Sequence, residues 1–226
     1  MSGQAREVIE MNQDIAFYSY LTPEQQDLLN RSMQTATYRK GQMVHRHGDV
    51  CVGMIFVRKG RLSFSALSEE GREVTIFRAD PGQTCILSAA CVFRVIETES
   101  HITAEVNTEV AILPAMILSQ LMNQNPDVER IVYKQATMQY SEALKTLQQI
   151  VFFSLEKRLA MFLRDEEVRQ RSLVFSVTHE QIARCIGSSR EVVTRMLKQF
   201  SDRGIVSLGR GTVTVLNPDA LEDILL

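Results

Sequence analysis

Between residues 178 and 204 apolar side chains recur at helical spacing in two short runs. The first is Ile182, Ala183 and Ile186, and the second is Val193, Met196, Leu197 and Phe200. Side chains three and four apart share a helix face, so the pattern predicts two short amphipathic helices. Thr178 with Gln181 reads as a capping box at the first start, and Ser188 with Glu191 as one at the second. Gly187 falls where the first helix must stop, at a turn that favours positive φ. The opposite face of the second helix collects Arg190, Glu191, Thr194, Arg195 and Lys198. One side is buried and the other offered, as in a helix-turn-helix whose second helix enters a DNA major groove. Beyond it, GIVSLGRGTVTVL holds two β-prone runs joined at Gly209-Arg210-Gly211, the pattern of a wing.

Upstream the pattern changes twice. Residues 15 to 33 contain a short helical stretch, with Thr22 as cap and Pro23 at its first position. From about 37 to 113, short β-prone runs (MIFVRKG, RLSFSAL, EVTIFRA) are separated by Gly41, Gly48, Gly60, Gly71 and Gly82. Strands at such spacing predict a small antiparallel sandwich or barrel. Residues 126 to 153 read as one long helix opened by Pro126, with Val132, Ala136, Ala143, Leu147 and Ile150 as its apolar seam. Leu155, Leu159, Phe162 and Leu163 predict a further helix over 155–175. The expected domains are therefore 1–125, 126–153 and 154–226.

The chain of 226 residues is long enough for two modest cores, and 45% apolar with 23% charged residues is an ordinary globular composition. No apolar run approaches the roughly 18 residues that span a bilayer. The opening MSGQAREVIEMNQD lacks the basic-then-apolar layout of a signal peptide, so a cytoplasmic protein with no membrane partner is expected. Cys51, Cys85, Cys91 and Cys185 show no disulfide-scaffold or zinc-ribbon spacing and are expected to be thiols. The net charge of −2 conceals a local excess: residues 178–211 hold six basic side chains against three acidic ones.

The wording of the C-terminal third, IARCIGSSREVVTRMLKQFSDRGIV, resembles the DNA-binding helices of the cAMP-receptor-protein/FNR (CRP/FNR) family of bacterial transcription regulators. The glycines at 48, 60 and 71 also match that family's sensor domain, and Phe152-Phe153-Ser154 matches its hinge. The resemblance implies an α+β fold: an N-terminal β-roll sensor, a long central dimerisation helix and a C-terminal winged helix-turn-helix. It implies a non-enzymatic, homodimeric regulator that binds an inverted-repeat operator with TGTGA-like half-sites, works with RNA polymerase and answers to a small-molecule effector. Of the second helix, Arg190, Glu191 and Arg195 are expected to read bases and Ser189 and Lys198 to contact phosphates, with Thr194 beside them.

For the effector, cAMP-binding members use a G-E-L segment, a later Arg-Ser pair and a Thr-Ser pair on the central helix. Here those places carry Gly82-Gln83-Thr84, Thr98-Glu99 and Ala143-Leu144, so a small molecule other than a cyclic nucleotide is expected; a shifted alignment would let Arg94 hold a phosphate. A pocket of Gln83, Thr84, Cys85, Ile86, Leu87, Cys91, Ala143 and Leu144 suits a more apolar molecule. The cofactor is unknown; haem held by Cys85, Cys91 or His101, or thiol redox sensing, is the alternative within the family. An iron-sulfur sensor would need an N-terminal cysteine cluster, which the sequence lacks. His45-Arg46-His47 raises a cupin-like metal enzyme as a remote rival. Cys51-Val52 stand where a cupin has its glutamate, and no histidine follows Pro81-Gly82 in the place of the later ligand, so no metal is expected.

Overall fold

The computed structural model describes residues 12, 15–46, 49, 51–68, 73–86, 89, 92 and 100–226. The chain divides into two compact units, residues 1–66 with 77–143 and residues 67–76 with 144–226, and each is described by itself.

The first unit opens on a 3-10 turn (Tyr18–Tyr20) and helix α1 (Pro23–Ser32). Thr22 Oγ1 accepts from the Gln25 amide and Gln25 Oε1 from the Thr22 amide, which satisfies two of the helix's orphan donors. Eight strands follow among the described residues: β1 (Gln34–Tyr38), β2 (Met43–Arg46), β3 (Met54–Lys59), β4 (Leu62–Leu67), β5 (Glu73–Ala79), β6 (Thr84–Cys85), β7 (Ser100–Ala104) and β8 (Thr108–Leu113). They form two four-stranded sheets in the orders β1-β8-β3-β6 and β2-β7-β4-β5. All but one of the connections between successive strands switch sheet, which rolls the chain into the expected β-roll. Phe64 and Phe77 stack with ring centroids 4.9 Å apart.

Helices α2 (Ala115–Gln124) and α3 (Pro126–Phe152) close this unit. Leu118, Leu121, Val128 and Val132 pack with Met54, Phe56, Ala111 and Leu113 in one core. At Gly53 the backbone turns with φ +113°, and a Cβ there would lie 2.1 Å from the Leu113 carbonyl oxygen. Cys51 is disulfide-bonded, whereas Cys85 and Cys185 are free thiols, which corrects the expectation that all four cysteines are thiols. Sequence spacing does not report that link because the bonding distance is set by the tertiary fold. His47, Gly48, Gly71, Leu87, Cys91, Arg94, Thr98 and Glu99, named above, lie outside the described residues.

The apolar seam expected on the long helix resolves into two stripes. Val132 is fully buried in its own core and Ala136 packs against that core, while Ala143 and Ile150 are half-buried. The open stripe runs instead through Tyr133, Thr137, Tyr140, Leu144, Leu147 and Val151. Its steps alternate between four and three, the spacing of a coiled-coil seam. Only Leu147 of the expected seam lies on it.

In the second unit α4 (Leu155–Gln170) starts at Ser154, whose Oγ accepts from the Lys157 amide at 3.1 Å. It ends at Gln170, five residues before the expected stop, with Arg171 as its cap in the left-handed region. The reason is β9 (Val174–Ser176), which pairs with the strand at Thr212–Val215 and turns Phe175 inward, a strand the sequence reading did not separate from the helix. Then come α5 (His179–Ile186), α6 (Arg190–Asp202), β10 (Val206–Gly209), β11 (Thr212–Val215) and α7 (Pro218–Leu225). The three strands lie in the order β10-β11-β9. Leu159, Leu163, Ile182, Ile186, Val193, Leu197, Phe200, Val213 and Leu221 share the core.

Candidate nucleic-acid interface and sensor cavity

Local chemistry shapes the helix pair. Thr178 Oγ1 accepts from the Gln181 amide at 3.1 Å and Gln181 Oε1 from the Thr178 amide at 3.0 Å, so the first capping box is as expected. Gly187 ends α5 at φ 63°, ψ 50°, and a Cβ there would meet the Arg158 guanidinium at 3.3 Å. Arg158 Nη1 donates to the Ile186 carbonyl, closing the C-terminus of the same helix. The second start is corrected by one residue: Ser189, not Ser188, caps α6, its Oγ accepting from the Val192 amide at 3.4 Å. Glu191 consequently sits in the first turn instead of completing a capping box. Its carboxyl is held below the usual carboxylate range by its own amide, the Ser189 hydroxyl and the Arg190 charge.

Val193, Met196, Leu197 and Phe200 are buried, and Ser189, Arg190, Glu191, Thr194, Arg195 and Lys198 are exposed together. The expected set therefore shares one solvent face. Two of the six basic residues counted in this segment are engaged elsewhere: Arg184 with Glu73 at 3.0 Å and Arg203 with Glu156 at 2.5 Å. Arg210 and Gly211 form the two-residue turn of the wing, with Gly209 opposite Thr212. Sequence reasoning missed His179, whose Nδ1 lies 2.8 Å from Thr194 Oγ1 on the exposed face. Its position directly after the capping Thr178 was the signal.

A cavity of about 700 Å³ opens in the first unit. Its described walls are Ile15, Ala16, Phe56, Val57, Arg58, Lys59, Phe77, Arg78, Gly82, Gln83, Thr84 and Glu109, with Gln135, Met138, Gln139 and Glu142 from α3. Of the residues named for an effector pocket, Gln83 and Thr84 line this cavity. Cys85 and Ile86 are buried but do not line it; Cys85 follows Thr84 on β6 and so faces the opposite way. Ala143 does not line it either, and Leu144 lies on the open stripe. The described wall is thus mixed: Ile15, Phe56, Val57, Phe77 and Met138 stand among charged and amide side chains, where a more uniformly apolar lining was expected. Cys85 and His101, named for haem, sit on strands of different sheets and neither reaches the wall. Gln139 Nε2 donates to the Thr84 carbonyl and its Oε1 accepts from the Ile86 amide at 3.1 Å, tying the helix to the cavity strand.

A β-roll with a winged helix-turn-helix whose second helix exposes a cationic, polar face defines a DNA-binding transcription regulator with a domain of the cyclic-nucleotide-binding type. Family models agree: residues 157–224 match the Crp-like helix-turn-helix domain and residues 35–125 the cyclic nucleotide-binding domain. A Eubacterium rectale structure assigned to CRP/FNR-family transcriptional regulators is 34% identical, covers 94% of this chain and 99% of its own, and superposes with a TM-score of 0.89. The cyclic AMP receptor protein of Thermus thermophilus is 26% identical over 204 residues, 90% of this chain and 94% of its own. The c-di-GMP-responsive regulator CLP of Xanthomonas campestris shares the fold, with a TM-score of 0.74 at 21% identity over 87% of this chain and all of its own. The chain belongs to the CRP/FNR family of transcription regulators. No helix among the described residues is long and apolar enough to cross a membrane.

Proposed function

We propose that the protein is a homodimeric, effector-responsive regulator that binds an inverted-repeat operator in the cytoplasm and acts through RNA polymerase. The observation that carries the reading is the exposed face of α6, where Arg190, Glu191, Thr194, Arg195 and Lys198 stand opposite a fully buried side. Arg190, Glu191 and Arg195 read base edges, Arg forks matching guanine O6 and N7, while Ser189 and Lys198 hold phosphates. A second copy on the open stripe of α3 places two recognition helices on TGTGA-like half-sites about one helical turn apart. Effector and operator then strengthen each other's binding reciprocally.

Arg190→Ala is expected to cost about 1–3 kcal/mol on the operator and to relax specificity at one base pair. Fluorescence anisotropy on matched and single-substituted duplexes measures both, and affinity and discrimination identical to wild type reject the assignment.

The effector in this reading is a small molecule other than a cyclic nucleotide. Residue 83 is an amide rather than a carboxylate, and its Oε1 is already engaged, accepting from the Asp80 amide at 2.8 Å. It therefore offers no carboxylate to a ribose hydroxyl. Titration calorimetry with cAMP and cGMP is expected to show no binding at micromolar concentrations; micromolar affinity for either overturns this part of the proposal.

A further inference from the structure

We propose that His179 is a DNA-backbone contact whose imidazole takes up a proton when the protein binds DNA. The inference rests on the DNA-binding reading above and concerns a residue outside the expected contact set.

The geometry fixes the ring's chemistry. Thr194 has one hydroxyl proton and donates it to the Arg190 carbonyl at 2.8 Å. Its oxygen therefore meets His179 Nδ1, 2.8 Å away, as an acceptor, so Nδ1 carries the hydrogen. A neutral ring then presents only a lone pair at Nε2, which repels a phosphate oxygen. A protonated ring presents an N–H there and a full charge, and makes a charge-assisted bond. A phosphate at Nε2 thus binds the imidazolium and not the neutral ring. Because Thr194 belongs to the exposed face of α6, the ring stands at the margin of the recognition surface, where backbone contacts set register without reading sequence.

Charged side chains lie on both helices that meet at the ring. On its own helix, Glu180 and Arg184 lie 3.5 Å from each other. The helix that meets it, α6, carries Arg190, Glu191, Arg195 and Lys198 on its exposed face. A DNA phosphate at Nε2 adds a negative charge that only the imidazolium meets with both a charge and an N–H. Proton uptake on binding means that affinity is highest at low pH and is lost as pH rises through the imidazole range. It also adds about one counterion per protomer to the salt dependence at low pH.

The test uses the full chain and a duplex selected by the wild-type protein from a random pool. Binding is measured from pH 6.0 to 8.0 at several salt concentrations. Wild-type affinity is expected to fall about fivefold or more across the range, with a shallower salt slope at high pH. His179→Gln removes the pH dependence and leaves the weaker, high-pH affinity. His179→Arg restores tight binding at pH 8.0 and is equally insensitive to pH. If His179→Gln titrates like wild type, or His179→Arg binds no better than His179→Gln, the inference is wrong while the DNA-binding reading stands. If no duplex is enriched from the pool, both fail together. A role confined to holding α5 against α6 would weaken both variants alike at every pH.

Discussion

Leu147→Glu is expected to leave the protein monomeric and to weaken operator binding by about 100-fold or more. Leu147 is 55% exposed in a stripe with Tyr133, Thr137, Tyr140, Leu144 and Val151, so the monomer tolerates the charge. Two copies joined along that stripe would bury a glutamate opposite its own twin, desolvated and repelled. Each monomer then holds a single half-site, and the gain from linking two recognition helices disappears. Leu147→Met, which conserves volume, is expected to stay dimeric. Sedimentation velocity distinguishes the outcomes, and an intact dimer of the glutamate variant shows that the stripe is not the interface.

Gly53→Ala is expected to destabilise the sensor unit by about 3 kcal/mol. The positive φ costs about 1–2 kcal/mol for any residue with a Cβ, and overpacking costs about 1–3 kcal/mol more. The second contribution arises because the new methyl would meet the Leu113 carbonyl oxygen at 2.1 Å and the Ala115 amide at 2.8 Å. Gly41→Ala separates the two: φ is +81° there, but nothing lies within 4 Å, so only the conformational cost remains. Urea unfolding followed by circular dichroism measures both variants, and equal midpoints for the two refute the steric account.

What the sequence revealed was what local chemistry determines. The helix pair was legible because its period, the Thr178 box and Gly187 all act within a few residues. The cap of α6 was misplaced by one because Ser188 and Ser189 are adjacent and either hydroxyl fits the pattern. The seam of the long helix was misread for a related reason. Two apolar stripes run one residue apart on α3, and only the packing of Val128 and Val132 against the β-roll shows which is already covered. The β9 segment was absorbed into the preceding helix because Val174–Ser176 is too short to declare a period of two by itself.

The cavity depended most on tertiary structure. Thr84 faces it and Cys85 does not, which follows from strand alternation once β6 exists, but a two-residue strand leaves no pattern to read. Arg58, Lys59 and Arg78 reach the same wall from strands whose runs read as sheet material alone. Gly53 carried no turn signature, because its constraint comes from a strand sixty residues away.

Selection of bound duplexes from a random pool, followed by sequencing, tests the central claim most directly. The account predicts an enriched inverted repeat of TGTGA-like half-sites with centres about one helical turn apart, bound as a dimer. Recovery of no enriched sequence, or of a single unrepeated site bound by one copy, would contradict it.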